Sequence, residues 1–390
     1  MTRIFGHVML AAQLLTAHSS AATYYVATIG ADSNPGTLEA PFRHLSKAAA
    51  SARQPGDTVM VLNGIYDNEG ARATAGGQGS VVTLRYSGRE GRPITFRALN
   101  RGKVTLDAGN TSAFFCNGAW AYFDLFNAAY ILIEGFVIER GCYNAIRSNN
   151  NAHDIEIKCN EIRNIGNWTN PGGSSSPSGI YLNKNEYNFT FAGNSFHDIG
   201  GATANQEHAI YTSASNVTIV NNIFYNNTHG YGIQTAGGAN VLIANNTFAF
   251  PNTSRDGQIV LWDNGAPGSL GNVTIRNNIF YSPWRVAVAS SLRAAISGSC
   301  TIDHNITNVG SIFDGGSPCS LDDNRTSADP QLVNTSAAPY DFHLRSTSPA
   351  VGTGLPVPEM TCDFKHITHA ARFGILSDIG ALPVEKSEED

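Results

Sequence analysis

The amino-acid sequence predicts an all-β protein that folds as a right-handed parallel β-helix, with a short N-terminal capping helix and a C-terminal cap. Three observations support this prediction. A short segment recurs along the chain, one position of that repeat is held by asparagine, and the composition suits strands and turns. The repeat also leaves open a β-sandwich or a propeller with asparagine-rich turns.

The repeated segment is an alternating β-type run followed by two asparagines, an apolar residue and an aromatic residue. It reads NVTIVNNIFY at 216–225, NVLIANNTFAF at 240–250 and NVTIRNNIFYS at 272–282. Strands of constant length joined by variable loops indicate a coil. Stacked inward amides can hydrogen-bond one another between rungs. Aligned on the second asparagine, the column contains Asn160, Asn194, Asn222, Asn246, Asn278 and Asn305, with Phe136 in the same position upstream.

A second β-type segment precedes the first in each unit. Each unit is therefore predicted to contain two short strands and a turn. The members of this second series are NAIRS at 144–148, SGIYLNK at 178–184, HAIYTS at 208–213, YGIQTA at 231–236 and GQIVLWD at 257–263.

The two ends of the chain differ from the repeat. The N-terminus has a basic start, an apolar stretch and then small residues, which predicts a secretory signal and an extracellular protein. No later apolar run is long enough to span a membrane. A short amphipathic helix is expected within 40–52. The predicted organisation is a signal at 1–22, one domain at 23–382 (N-terminal cap about 23–55, rungs about 56–310, C-terminal cap about 311–382) and a disordered tail at 383–390.

Composition and charge exclude several classes of protein. Only 14% of residues are charged and 39 are glycine, which argues against helical bundles. The formal net charge of −6 gives no basic footprint for nucleic acid, and we expect a monomer. Six cysteines follow the signal without zinc-site spacing, so disulfides are expected, with Cys300 and Cys319 as the preferred pair.

Three parts of the chain carry a family resemblance. The opening YYVATIGADSNPGTLEAPFRHLSKAAASARQPGDTVMVLNGIY, the asparagine column and the closing DPQLV…YDFHLRSTSPAVGTG…DIGALP resemble secreted right-handed parallel β-helix proteins of the pectate-lyase-like superfamily. The resemblance implies a polysaccharide lyase that cleaves an acidic uronan such as pectate or alginate by β-elimination. It also leaves open a C5-epimerase, a glycoside hydrolase or a non-catalytic carbohydrate-binding surface protein. Calcium is a possible cofactor, although the sequence contains no contiguous acidic loop.

Strand parity predicts where a substrate would bind. The isoleucines of the second series should point inward, so the following residues form one outward column beside a lane of alanine and glycine. Tyrosine faces stack on sugar rings, which favours a sugar-binding groove over an ordinary solvated ladder. The column is Arg147, Tyr181, Tyr211 and Gln234, and the lane is Ala145, Gly179, Ala209 and Gly232.

β-Elimination needs a group that neutralises the substrate carboxylate, a base and an acid. We predict Lys184 as the base, His208 as an alternative base or neutraliser, and Tyr211 as the acid. The competing interpretations are a solvated turn lysine and a histidine that only caps its strand. Arg147 is expected to bind a carboxylate. The other predicted substrate-binding residues are Tyr181, Glu207, His229, Tyr231, Gln234 and Trp262.

Overall fold

The described part of the computed structural model is a right-handed coil of parallel strands, which confirms the predicted all-β fold class. Within it, each central turn of the coil contributes one strand to each of three sheets, which we call A, B and C. The described residues are 20–67, 80–108, 121–141, 143–166, 177–200, 206–227, 229–250, 255–263, 270–291, 296–315, 319–357, 378–382 and 384.

The strands of each sheet lie in chain order from one end of the coil to the other. Sheet A contains β1 (Thr23–Val26), β2 (Thr58–Val61), β5 (Ile94–Ala98), β8 (Ala129–Glu134), β11 (His153–Lys158), β14 (Tyr187–Ala192), β17 (Ser215–Val220), β20 (Gly238–Ala244), β23 (Leu270–Arg276), β26 (Ser297–Asp303) and β28 (Ser320–Asp322). Sheet B contains β3 (Gly64–Tyr66), β6 (Val104–Asp107), β9 (Val137–Glu139), β12 (Glu161–Arg163), β15 (Ser195–His197), β18 (Ile223–Tyr225), β21 (Thr247–Ala249), β24 (Ile279–Tyr281) and β27 (Ile306–Thr307). Sheet C contains β4 (Val82–Leu84), β7 (Ala121–Phe126), β10 (Asn144–Asn149), β13 (Ser178–Leu182), β16 (His208–Thr212), β19 (Ile233–Ala236), β22 (Ile259–Trp262) and β25 (Val288–Ser291).

Each central rung holds three strands, so the prediction of two strands and a turn was wrong. The third strand is the short apolar segment after the paired asparagines, such as β18, which forms sheet B. The first asparagine of a pair bends the chain because it adopts a positive φ, 56° at Asn221 and 53° at Asn245. Asparagine tolerates this left-handed conformation better than most residues do. The bend lets three residues pair with the next rung.

The second asparagine of each pair forms the predicted internal ladder. The Asn194 side-chain amide donates to Asn222 Oδ1 at 3.0 Å, and Asn222 donates in the same way to Asn246 at 3.0 Å. Asn222 also donates to the carbonyls of Phe191 and Val220. These side chains are fully buried, and the stack satisfies amides that would otherwise be costly to bury. The ladder continues past the predicted column to Asn324.

A second amide ladder lies on the outside of sheet A. Asn216 donates to Asn188 at 3.0 Å, Asn240 donates to Asn216 at 2.8 Å, and Asn272 donates to Asn240 at 3.0 Å. All four residues have a positive φ, between 48° and 59°. The asparagines in NVTI-type segments therefore shape the start of each sheet A strand.

Aromatic residues fill the centre of the coil in the same register as the asparagines. Phe196, Phe224, Phe248 and Phe280 occupy one position of sheet B, with successive ring centroids 4.7–5.0 Å apart and nearly parallel. Each is at most 2% exposed. Parallel strands in register place equivalent residues of successive rungs side by side, which produces this stack of like residues.

The N-terminal end is covered by the predicted helix, α1 (Leu45–Ser51), which buries Leu45, Ala48 and Ala49. The C-terminal segment packs along the side of the coil and does not only cover its end. Its antiparallel hairpin, β29 (Leu332–Asn334) and β30 (Asp341–Leu344), lies against the outer face of sheet B. There the ring centroids of Phe342 and Tyr225 lie 5.3 Å apart. β28 continues sheet A past residue 310, where we expected the rungs to end.

The structure shows the predicted disulfide and two ion pairs of sheet A. The Cys300–Cys319 disulfide is present, as predicted. Lys158 lies in register with Glu134, but it forms its ion pair with Glu156 on its own strand. Glu134 instead pairs with Arg97 at 3.1 Å. Residues 1–19 of the predicted signal, and residues 383 and 385–390 of the predicted tail, lie outside the described residues.

Candidate functional site

The outward face of sheet C carries the predicted column. Strand register places Arg147 beside Tyr181, Tyr181 beside Tyr211, and Tyr211 beside Gln234. The isoleucines that precede these residues are fully buried, as strand parity requires. Arg147 and both tyrosines are half-buried, whereas Gln234 is only 5% exposed.

Arg147 is held in place by an acidic residue that we had not predicted. Its guanidinium contacts Asp124 Oδ2 at 2.8 Å, and Asp124 lies one rung towards the N-terminus in the same column. Asn149 donates to the other carboxylate oxygen at 2.9 Å. Charge-assisted bonds of this kind fix the orientation of a guanidinium. Extending the register of Arg147 back to the alternating segment at 121–126 would have located Asp124.

The two tyrosines of the column form a parallel pair. The ring centroids of Tyr181 and Tyr211 lie 5.1 Å apart, with an angle of 7° between the planes. Burial raises the pKa of both phenols, and the Glu186 carboxyl adds to the rise at Tyr181. A hydrogen bond with Ser213 opposes the rise at Tyr211. Both hydroxyls are therefore protonated at neutral pH and can donate hydrogen bonds.

The lane of small residues does not form the floor of an exposed groove, as we had expected. All four members, Ala145, Gly179, Ala209 and Gly232, are buried. A side chain at Gly179 would meet the Ala209 carbonyl at 2.6 Å, and one at Gly232 would meet the Phe248 ring at 3.0 Å. Small residues are required because the strand packs against the core where it enters sheet C.

His208 is fully buried at the start of β16, so its position does not suit the predicted role as a base. Its Nδ1 accepts the backbone N–H of Tyr231 at 3.0 Å. Burial and the nearby Arg255 charge lower its pKa to about 3, so the ring is neutral. Within the described chain no group bonds to its Nε2. Its ring centroid lies 5.6 Å from that of Tyr231 and 6.2 Å from that of Tyr211, so it packs beside these two tyrosines.

The loops before sheet C contain the other predicted binding residues. Tyr231 stacks beside His208 and lies under the Arg255 guanidinium, which is 5.3 Å from its ring centroid. Glu207 is only 1% exposed and His229 is half-buried. Both flank Gly200, where an added Cβ would lie 3.1 Å from the Glu207 Cβ and 2.8 Å from the His229 Cβ. The structure therefore groups Tyr231 with His208, and Glu207 with His229.

Lys184 and Trp262 lie at different parts of the same face. Lys184 is exposed in the turn that follows β13, and within the described residues its side chain makes no ion pair or hydrogen bond. Trp262 is half-buried on β22, in register with Ala236 of the preceding rung. Its indole therefore lies between two small residues of the flanking rungs, Ala236 and Ser291.

A buried carboxyl under the column was missed by the sequence analysis. Glu186 is 1% exposed, and its Oε2 accepts the Asn183 N–H at 2.9 Å and hydrogen-bonds Ser148. Burial raises its pKa to about 8, with Asp124 adding to the rise and the Asn183 bond opposing it. No periodicity marks this residue, because it lies in a turn.

The described residues contain no cluster of three or more His, Cys, Asp or Glu side chains that could hold a metal ion. The calcium expectation therefore stays a prediction. A search of the same residues finds no helix long and apolar enough to cross a membrane.

Comparison with protein families agrees with this architecture. The profile described as "Right handed beta helix region" matches residues 123–326, more than half of the chain. The chain belongs to this right-handed β-helix family. A second profile, "Pel9A-like, right handed beta helix region", matches residues 24–204. Together they confirm the predicted pectate-lyase-like superfamily.

Curated relatives match parts of this β-helix chain. Pectate lyase L of Dickeya chrysanthemi is 27% identical over 153 residues, which is 39% of this chain and 34% of the relative. The uncharacterised protein YwoF of Bacillus subtilis (strain 168) is 35% identical over 82 residues, or 21% of this chain and 15% of that protein. The chain thus spans about a third or less of the curated relatives it matches.

Solved structures show the same fold over most of the chain. Pectate lyase Pel9A has a TM-score of 0.57 at 16% identity, covering 94% of this chain and 97% of that one. A structure titled glycoside hydrolase has a TM-score of 0.51 at 9% identity, covering 79% and 97%. At such identities the likeness shows the fold alone, since one fold supports different chemistries.

Proposed function

We propose that the chain is an extracellular polysaccharide lyase that cleaves an acidic, uronic-acid-containing polysaccharide such as pectate or alginate by β-elimination. The observation that carries the proposal is the column Arg147–Tyr181–Tyr211 on the outer face of sheet C. It combines a fixed guanidinium with two parallel phenol rings. The partial matches to pectate lyase L and to the Pel9A-like profile support the same class of substrate.

Arg147 is the residue we assign to the substrate carboxylate. Asp124 orients the guanidinium, so little side-chain freedom is lost when a substrate carboxylate approaches it. The half-buried setting strengthens the contact, because a lower effective dielectric increases the interaction of charges. Neutralising the carboxylate makes the adjacent C5 proton more acidic.

The proton transfers need a base and an acid on this face. Tyr211 suits the acid, because burial keeps its hydroxyl protonated and hydrogen-bonded at neutral pH. Lys184 remains our proposed base and would have to reach the substrate from its turn. The base removes the C5 proton, the bond from C4 to the glycosidic oxygen breaks, and Tyr211 donates a proton to that oxygen. The product carries a C4–C5 double bond.

The proposal is tested by incubating the protein with pectate and with alginate while following the ultraviolet absorbance of the unsaturated product. We expect activity in the wild type, with large losses in Lys184→Ala and Tyr211→Phe. Arg147→Lys keeps a charge opposite Asp124 but loses the forked geometry, so it should raise KM. Tyr187→Phe on sheet A is the matched control and should behave as wild type.

The alternatives give different results in the same experiment. A glycoside hydrolase would release reducing ends without new absorbance. An epimerase would exchange the C5 proton with solvent and leave the chain intact, and a binding protein would retain the polymer unchanged. Any of these three results, or full activity in both Lys184→Ala and Tyr211→Phe, would contradict the assigned site.

A further inference from the structure

The outer face of sheet C continues beyond Asp124 towards the N-terminus. β4 pairs with β7, which places Thr83 beside Asp124. Arg85, the residue after β4, stacks over the ring of Phe126, with its guanidinium carbon 4.4 Å from the ring centroid. Phe126 lies in register with Asn149, next to Arg147. The arginine–aromatic pair is therefore continuous with the candidate column on this face.

A second pair of the same kind lies beside the first. The Arg53 guanidinium, just after α1, sits 4.9 Å from the ring centroid of Tyr86. Both arginines are exposed, and Tyr86 is 37% exposed. Within the described residues neither Arg53 nor Arg85 forms an ion pair. Arg97, another exposed arginine of this segment, is neutralised by Glu134 at 3.1 Å.

The local charge is opposite to that of the whole chain. Residues 85–103 contain six basic residues and one acidic residue, Glu90, in a protein of net charge −6. Arg53 Nε donates to the Ala50 carbonyl at 2.7 Å. A guanidinium that is stacked on a ring and has no ionic partner can still direct its terminal N–H groups at a carboxylate, and the ring limits its motion. Such a patch concentrates an anionic polymer near a groove.

We propose that Arg53, Tyr86, Arg85 and Phe126 form an outlying subsite for a carboxylate-bearing sugar of the polymer that occupies the sheet C groove. The inference rests on the proposed acidic substrate and extends it to a longer chain. Arg85 lies two rung steps from Arg147, roughly 10 Å at the usual strand spacing. The subsite contacts only polymers that run past Arg147, so it acts on binding and leaves the proton transfers unchanged.

The test compares wild type, the double variant Arg53→Gln/Arg85→Gln and the control Arg97→Gln. Their affinities are measured for long pectate or alginate chains, for a trisaccharide of the same sugar and for a neutral polysaccharide, each at low and high salt. We expect the double variant to bind the long acidic polymer about tenfold more weakly at low salt and to lose part of the salt dependence. The affinity of the double variant for the trisaccharide, and the affinity of Arg97→Gln for the long polymer, should each differ from wild type by less than about twofold.

The outcomes separate this subsite from the proposed activity. If the double variant binds and turns over the long polymer as wild type does, the subsite is wrong while the lyase proposal stands. If wild type binds the polymer with the expected arginine dependence but does not cleave it, the subsite stands and the lyase proposal fails. Equal losses for the neutral polysaccharide, or in the Arg97 control, would also overturn the subsite.

Discussion

Replacing Glu186 by glutamine should make the protein more stable at neutral and alkaline pH. The carboxyl is 1% exposed, and burial holds its pKa at about 8 against an ordinary value of 4.5. The folded chain therefore binds a proton that the unfolded chain has released between these pH values. The stability linked to this group is complete below pH 4.5 and is lost as the pH rises to about 8.

The size of the effect follows from the pKa difference. Each pH unit between the two values costs about 1.4 kcal/mol. At pH 7 the penalty is on the order of 3 kcal/mol, and above the folded pKa it approaches 5 kcal/mol. Glutamine does not titrate and can still accept the Asn183 N–H at its side-chain oxygen. It should remove most of the penalty.

The assay is urea unfolding of wild type and Glu186→Gln at several pH values from about 4 to 9. The difference in unfolding free energy should be small near pH 4 and should grow in favour of the variant towards pH 8. Glu156→Gln serves as the control, because the Glu156 side chain is 47% exposed. Parallel pH dependences for wild type and Glu186→Gln would refute the reasoning.

Three further predictions concern the ladder, the disulfide and the buried histidine. Asn222→Ala removes five buried side-chain hydrogen bonds and should cost about 3–5 kcal/mol in urea unfolding. Asn216→Ala in the exposed ladder should cost only about 1 kcal/mol, and equal losses would argue against the internal stack. Replacing both Cys300 and Cys319 by serine opens a loop with a sequence separation of 19 and should cost about 3 kcal/mol, whereas an unchanged unfolding midpoint would contradict this. His208→Gln can still accept the Tyr231 N–H, so its pH–activity curve should keep the wild-type shape, and loss of a limb near pH 6.5 would show that the histidine titrates in the active range.

The asparagine ladder was predictable because asparagine recurs at the same position of successive repeats in the sequence. Each inward amide needs an identical neighbour, so the residue type recurs at every rung, as at Asn194 and Asn222. The third strand was missed because three residues such as Ile223–Tyr225 carry too little periodicity to be separated from a turn. Their pairing depends on the backbone bend at Asn221.

The column of the candidate site was also predictable, since strand alternation fixes which residues point outward. The complete burial of His208 was not predictable, because strand alternation does not show whether other segments cover the first residue of a strand. Asp124 and Glu186 act on the column through contacts between rungs and turns. Extending the register of the column would have located Asp124. The contact of Glu186 depends on the loop after β13, for which a local pattern supplies no register.

The most direct test of the account is a crystal structure of the protein with a bound uronic-acid oligosaccharide. The account predicts that the sugar lies on the outer face of sheet C, with one carboxylate at Arg147 and a ring against Tyr181 or Tyr211. An oligosaccharide bound to the outer face of sheet A or sheet B, with the sheet C column unoccupied, would contradict it.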